Sequence, residues 1–315
     1  MYAPPADQGQ RQAKTIVNLV VVVFLIIGLF LVLQFFHFMY LRDVPVIGNW
    51  LMDLYERVFG VPQVLIVHGS VSDDSIGDYV KLQQVLQEKL IFYSEDVDIS
   101  DFSSGFGSLL KKYRLVIVED VQTMDKDKLV NFDDYVKGGG NLLWVGDAGT
   151  KGIVQYKGMA FANQTGWTRA IACINEISML ECDCTTVKQN STCKFLPKSE
   201  DSGVGDIEED FTGILGVDFE KNIIGNVPKV EVVDTDHWSI IGIKKYFDLS
   251  TVNKITSVST VYSASLVANI NMTNKAYPGV IVNDQIGPWG SVVYFAYPPE
   301  ETPEILLPLV KRLRY

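Results

Sequence analysis

A basic surface is the first thing this sequence lacks: 27 lysines and arginines stand against 38 aspartates and glutamates, for a formal net charge of −11 and a pI near 4.8. Nucleic-acid binding depends on neutralising phosphates with Lys and Arg, so that class is excluded. Cysteine is scarce, four in 315 residues, and none of the four falls in a paired C-x2-C knuckle. There is also no G-x-S-x-G elbow, no EF-hand spacing, no internal repeat and no low-complexity tract. A composition of 47% hydrophobic and 21% charged residues is too apolar for a disordered chain, and the length could hold two ordinary domains.

What the sequence does have is one long apolar run. From Ile16 to Leu33 it reads IVNLVVVVFLIIGLFLVL, with Asn18 as the only strongly polar member. A helix from Thr15 to Met39 would be ~37 Å long, enough for a hydrocarbon core of about 30 Å. Residues 15–40 are therefore expected to cross the membrane, with 1–14 as a cytoplasmic tail and 41–62 as an amphipathic stalk. No small-residue cleavage site follows the run, which argues against a removable signal peptide. Arg11 and Lys14 precede it, while Arg42 is the only basic residue after it before Arg57, a bias that puts the N-terminus inside.

Two further features agree with an extracytoplasmic C-terminal part. Three N-x-[ST] triplets, beginning at Asn163, Asn190 and Asn271, all follow the apolar run and are candidate glycosylation sites. The cysteines Cys173, Cys182, Cys184 and Cys193 sit within 21 residues on the same side. Such a set suits one or two disulfides in an oxidising compartment, with free buried thiols or a tetrahedral zinc as the alternatives. A Cys182–Cys184 bridge would be strained.

Beyond Gly60-Val61-Pro62 a regular alternation begins. The pattern predicts strands over Gln63–His68, Leu90–Asp96, Arg114–Glu119 and Asn141–Val145. Helices are predicted between them at Ser75–Leu90, Phe106–Tyr113 and Asp125–Lys137, the last with Leu129, Phe132 and Val136 inward. Buried strands alternating with helices imply a parallel sheet covered on both faces. From about 151 to 283 the rhythm breaks into an insertion with antiparallel β character, including Val230–Val233, Val258–Ile270 and Pro278–Asn283. A buried strand over Gly290–Tyr297 and a helix over Thr302–Leu313 close the chain.

The segment RLVIVEDVQTMDKDKLVNFDDYVKGGGNLLWVGDAG, Arg114 to Gly149, resembles the class I glutamine amidotransferase-like superfamily, in particular its non-catalytic membrane-anchored, GIFT-type branch. GSVVYFAYPPEETPEILLPLV resembles the last strand and helix of that fold, and Asp236-His237-Trp238 with Ile241-Gly242-Ile243 resembles its "D-H-P-(I/L)-x-x-G-(I/L)" segment. The resemblance covers most of 63–315 and implies a flavodoxin-like, amidotransferase-like α/β domain with a β-rich insertion. It also implies where catalysis would sit. Active members carry a Cys on the turn after the strand matching Asn141–Val145 and a His and Glu after the last strand, because a thiolate needs a neighbouring base. Here those positions hold Asp147 and Pro298, and only Glu300 of the set remains. The resemblance therefore implies no glutaminase chemistry.

The other constellations are weaker. His68-Gly69-Ser70 closes the first strand, where open α/β sheets place their crevices, and is a candidate pocket lip. A hydrolase built from Ser70, Asp147 and His237, or around His68, Asp147 and His237, is the alternative to a binding role. Gly146 to Gly152 misses phosphate-loop spacing, and the acidic stretch 201–210 reads as a solvated loop rather than a Ca²⁺ site. The expectation is a single-pass glycoprotein of the cell membrane with no cofactor, catalytically vacant. Its expected partners are the bilayer, other membrane or cell-surface proteins and a glycan.

Overall fold

The computed structural model describes residues 21–22, 25–29, 64–69, 75–90, 94–102, 104–156, 159–163, 167, 173–175, 193–195, 211–227, 229–237, 240, 242–249, 251–261, 263–272, 275–286 and 290–313. For 152–163, 173–175 and 193–195 the description is of backbone only. The chain divides into two units, Met1–Pro62 with Tyr315, and Gln63–Arg314. In the first, residues 21–22 and 25–29 are helical. Among the described residues no helix is long and apolar enough to cross a membrane. The run expected to do so, and the stalk at 41–62, lie mainly outside them.

The second unit is a mixed α/β structure whose central sheet has a parallel half and an antiparallel half. Strands β1 (Val64–His68), β2 (Ser94–Asp98), β3 (Leu115–Val118) and β5 (Asn141–Val145) alternate with helices α1 (Tyr79–Leu90), α2 (Phe106–Leu110) and α3 (Lys126–Lys137), with a three-residue strand β4 at Thr123–Asp125. All side chains of β1, β3 and β5 are buried. That is why these segments read as unbroken apolar runs: helices cover both faces of a parallel sheet. On α3, Leu129, Phe132 and Val136 are fully buried as their spacing predicts.

After β5 the chain forms β6 (Lys151–Tyr156), β7 (Met159–Asn163), β8 (Cys173–Asn175), β9 (Cys193–Phe195), a short helix α4 (Phe211–Leu215) and β10 (Val217–Ile224). Then come β11 (Lys229–Val232), β12 (Tyr246–Asp248), β13 (Lys254–Thr260), β14 (Ser265–Met272), β15 (Lys275–Ile286), β16 (Gly290–Phe295) and helix α5 (Pro303–Leu313). The nine-stranded sheet runs β12-β11-β14-β15-β16-β5-β3-β1-β2. Its strands from β2 to β16 are parallel, and β15, β14, β11 and β12 continue it with antiparallel pairs. The inserted region is thus no appendage: four of its strands extend the core sheet, while β10 and β13 pair separately.

A row of rings fastens that region to the parallel half. Phe106 of α2, Phe132 of α3, Trp144 of β5 and Phe211 of α4 stand edge to face, with successive centroids 5.3, 5.3 and 5.0 Å apart. Aromatic pairs of this kind are worth about 0.5–1.5 kcal/mol each beyond the area they bury. Pro278 lies inside β15, in the stretch before Val280 that pairs with β14 but not with β16. It is tolerated because it falls at a register shift opposite Asn269.

Candidate functional site

Open α/β sheets bind ligands outside the carboxyl ends of their strands, where the strand order reverses. In the order β2-β1-β3 that point lies beyond His68 and Glu119. Here the protein's own chain fills it. Gly69 N–H donates to the Asp120 carbonyl at 3.0 Å, and Asp120 N–H to the Ile76 carbonyl at 3.4 Å. The segment 75–78 then passes over the ends of β3 and β5. Gly146, at φ +56°, lets the turn after β5 approach it so closely that a Cβ there would sit 2.5 Å from Ile76 Cβ.

Asp147 stands at the centre of this closure and is 0% exposed. Its Oδ1 accepts from the Ser75 hydroxyl at 3.0 Å and from Ile76 N–H at 2.9 Å. Its Oδ2 accepts from Gln122 Nε2 at 2.8 Å and Asn222 Nδ2 at 2.6 Å, with Lys254 Nζ at 3.6 Å. Both oxygens are engaged by groups from four segments of the chain. The turn itself is pinned by two indoles, since Trp144 and Trp167 Nε1 both donate to the Ala148 carbonyl, at 2.9 and 2.8 Å. Trp144 is therefore a core residue. After the turn the chain enters β6 rather than a helix, so the strand–turn–helix geometry that exposes a nucleophile is not formed.

The remaining sequence-derived residues do not converge on Asp147. His68 is 7% exposed, stacks on Tyr79 with centroids 3.7 Å apart and planes 5° from parallel, and turns its Nε2 toward Asp96 Oδ2 at 3.6 Å. His237 lies at the other end of the sheet. The charges acting on it are those of Asp234, of Asp284 near the end of β15, and of Arg312 near the end of α5. That end of α5 meets the start of β5, because Asn141 Nδ2 donates to the Leu313 carbonyl at 2.5 Å. Burial lowers the His237 pKa below its usual range, opposed by the two aspartates. Ser70 lies outside the described residues.

The glycosylation and cysteine positions are only partly described. Asn271 is on β14, half-buried, and its Nδ2 donates to Glu231 Oε2 at 3.1 Å. Asn163 ends β7, and Asn190 lies outside the described residues. Cys173 and Cys193 are on paired strands, but the register sets Cys173 opposite Phe195 and Cys193 opposite Asn175. Cys182, Cys184 and the acidic stretch 201–210 lie outside the described residues. Among those described, no group of three or more His, Cys, Asp or Glu is arranged to hold a metal.

Sequence reasoning missed two features at this end of the sheet. One is a recess of about 420 Å³ between α2 and α3, whose lining includes Phe106, Lys111, Asp125 and Lys128. Lys128 Nζ donates to the Phe102 carbonyl and lies 4.8 Å from the Phe106 ring centre, and burial lowers its pKa. The other is Glu119, 0% exposed, beside Glu300, 4% exposed, which the family resemblance marks only as the remaining member of the amidotransferase set. Glu119 directly follows the apolar strand β3, and a carboxylate in that place was the available signal, whereas Glu300 lies beyond Pro298 and Pro299.

No family model and no curated protein matches the chain. Among solved structures it is similar to the cold-adapted β-galactosidase from Rahnella sp. R3, at 14% identity and a TM-score of 0.50, over 86% of this chain and 34% of that one. The β-galactosidase from Bacillus circulans sp. alkalophilus gives 12% identity and 0.49, over 84% of this chain and 33% of that one. A ThuA-like protein from Bacteroides uniformis gives 12% and 0.45, over 80% of this chain and 90% of that one. The chain spans about a third of the length of the two β-galactosidases. At these identities the likeness is one of fold alone.

Proposed function

We propose that this chain is a single-pass membrane protein whose extracytoplasmic domain is a catalytically vacant, binding or accessory subunit of a membrane or cell-surface complex. In this reading the domain has the flavodoxin-like strand order of the amidotransferase-like fold, which the order β2-β1-β3-β5-β16 supports. The observation that carries the absence of chemistry is Asp147. The residue in the nucleophile position has no exposed surface and both oxygens engaged, so it has neither access nor a free lone-pair direction toward a substrate. The alternative hydrolase needs His68, Asp147 and His237 within hydrogen-bond reach, and His237 belongs to the opposite end of the sheet.

The apolar run at 15–40 supplies the anchor, and the triplets at Asn163, Asn190 and Asn271 favour an outward-facing domain. Partners are then neighbouring membrane or surface proteins, a glycan and the bilayer. Alkaline carbonate washing of native membranes, followed by glycopeptide mapping, tests this reading. The protein should stay in the pellet and carry glycan on at least one of the three asparagines. Release into the supernatant without detergent would overturn the anchored topology.

A further inference from the structure

Glu119 and Glu300 take no part in the reading above. Glu119 follows β3, and Glu300 lies in the 3-10 turn Pro299–Glu301 that follows β16. Their carboxyls are within hydrogen-bonding reach of each other. Yet, among the described residues, both Glu119 oxygens and Oε2 of Glu300 have no donor. Two ionised carboxylates only accept, so this contact becomes a hydrogen bond when one of them carries a proton.

The surroundings are mostly acidic, and the cation whose charge acts on Glu300, Lys81, is hydrogen-bonded to another carboxylate. Asp120 follows Glu119, Asp78 caps α1 through its Oδ1, and Glu301 follows Glu300; the charges of all three act on the pair. Lys81 of α1 lies nearby, but its Nζ goes to Glu301, which also accepts from the Thr251 hydroxyl. Above the pair, the backbone of 75–78 rests directly on Glu119. Gly77 has φ +119°, and a Cβ there would lie 2.2 Å from Glu119 Cγ.

We infer that Glu119 and Glu300 hold one proton between them, and that losing it loosens the 299–301 turn and the 75–78 segment from the end of β3. The pair acts as a pH-sensitive latch on the closed crevice. Two like charges at contact distance in a site that excludes water repel strongly, and paired carboxyls elsewhere resolve this by sharing a proton. Burial, and then the partner's charge, push Glu119 well above the carboxylate range, and burial raises Glu300 to about 7. A pKa raised above the ordinary 4.5 means that the folded state binds this proton more tightly than the unfolded chain does. The stability from Glu300's proton is therefore full below the ordinary value and is lost as pH rises through about 7, and that from Glu119, the more deeply buried and more strongly raised of the two, is lost above it.

The test is the melting temperature of the full chain in detergent at about pH 5.5, about pH 8 and about pH 9.5, for wild type, Glu119→Gln and Glu300→Gln. An amide donates to the remaining carboxylate without a titrating proton. The wild type should lose roughly 5 °C across this interval, and either variant should flatten the profile. Infrared difference spectra of the wild type should show the carbonyl stretch of a protonated carboxyl fading over the same interval, and Glu119→Gln should lack it. Parallel profiles in all three proteins, or no such band, would overturn the inference. So would Ca²⁺ or Mg²⁺ raising the melting temperature of the wild type alone at higher pH, since the pair would then hold a cation. Each readout reports on the folded domain and does not depend on the membrane topology proposed above.

Discussion

Asn222 donates a 2.6 Å hydrogen bond to Asp147, and through it strand β10 is tied to the turn after β5. Ser75, Ile76 and Gln122 bring the segments that follow β1 and β3 to the same carboxylate. A position that the family resemblance marks for a nucleophile is thus used as a knot, and its burial follows from that use.

Asp147→Ala would strand these donors and remove one carboxylate near Lys254. Removing one partner of a buried charged network costs about 3–5 kcal/mol, because the other groups remain desolvated and unpaired. Asn222→Ala should cost about 1–3 kcal/mol, and the double variant less than the sum of the two. Urea denaturation of the three proteins measures this. A loss below about 1 kcal/mol for Asp147→Ala would mean that the network is not what closes the crevice.

Placing a thiol at the same position should not create an amidotransferase. Asp147→Cys supplies a nucleophile, but the base position is Pro298, whose ring nitrogen can neither take nor give a proton. The expected result in a glutamine hydrolysis assay is no ammonia release above that of the wild type. Turnover in this variant would show that another base reaches the turn.

The ring stack predicts how the inserted region depends on the parallel core. Phe211 is 1% exposed and packs on Trp144, so Phe211→Ala should cost about 3–5 kcal/mol. Hydrogen exchange should then speed up in β10 and β13 before β1 and β3. Equal acceleration in both groups would mean that the two parts unfold as one unit.

Histidine titration followed by NMR should place His237 below the ordinary value of 6.5, because burial outweighs Asp234 and Asp284. A histidine with a lowered folded pKa loses stability as pH falls from the ordinary 6.5 toward the folded value, since the unfolded chain takes up the proton first. His237→Gln should remove this acid-side loss and leave the fall at higher pH, assigned to Glu119 and Glu300, unchanged.

Much of the parallel half could be read from the sequence, because β1, β3 and β5 are buried throughout and, with β16, are apolar except for His68, Asn141 and Ser291 at or near their ends. The second strand is shifted, starting at Ser94 rather than Leu90, because α1 runs on through Leu90. Helix α1 in turn starts at Tyr79 rather than Ser75, since Ser75 and Ile76 are drawn off to Asp147. Val258–Ile270 divides into β13 and β14 at a turn near Ala264, where the chain changes partner strand. The short strands β4 and β12 have too few residues for an alternation to register. His68 was picked out as a pocket lip by its place at a strand end and Asp147 by the family resemblance, but that they are covered depends on Ser75, Ile76, Gln122, Asn222 and Tyr79. Those contacts join residues up to 75 positions apart, and no local pattern encodes them.

The central claim is that this is an accessory subunit and not an enzyme, and isolation from its own membrane in mild detergent, followed by native mass spectrometry, tests it most directly. The account predicts a stoichiometric complex with at least one other membrane protein, in which Asp147→Asn lowers the yield of folded complex without removing an activity. A protein that comes out alone, and turns over an ester, amide or glycoside substrate at a rate abolished by Asp147→Asn but not by loss of fold, would contradict it.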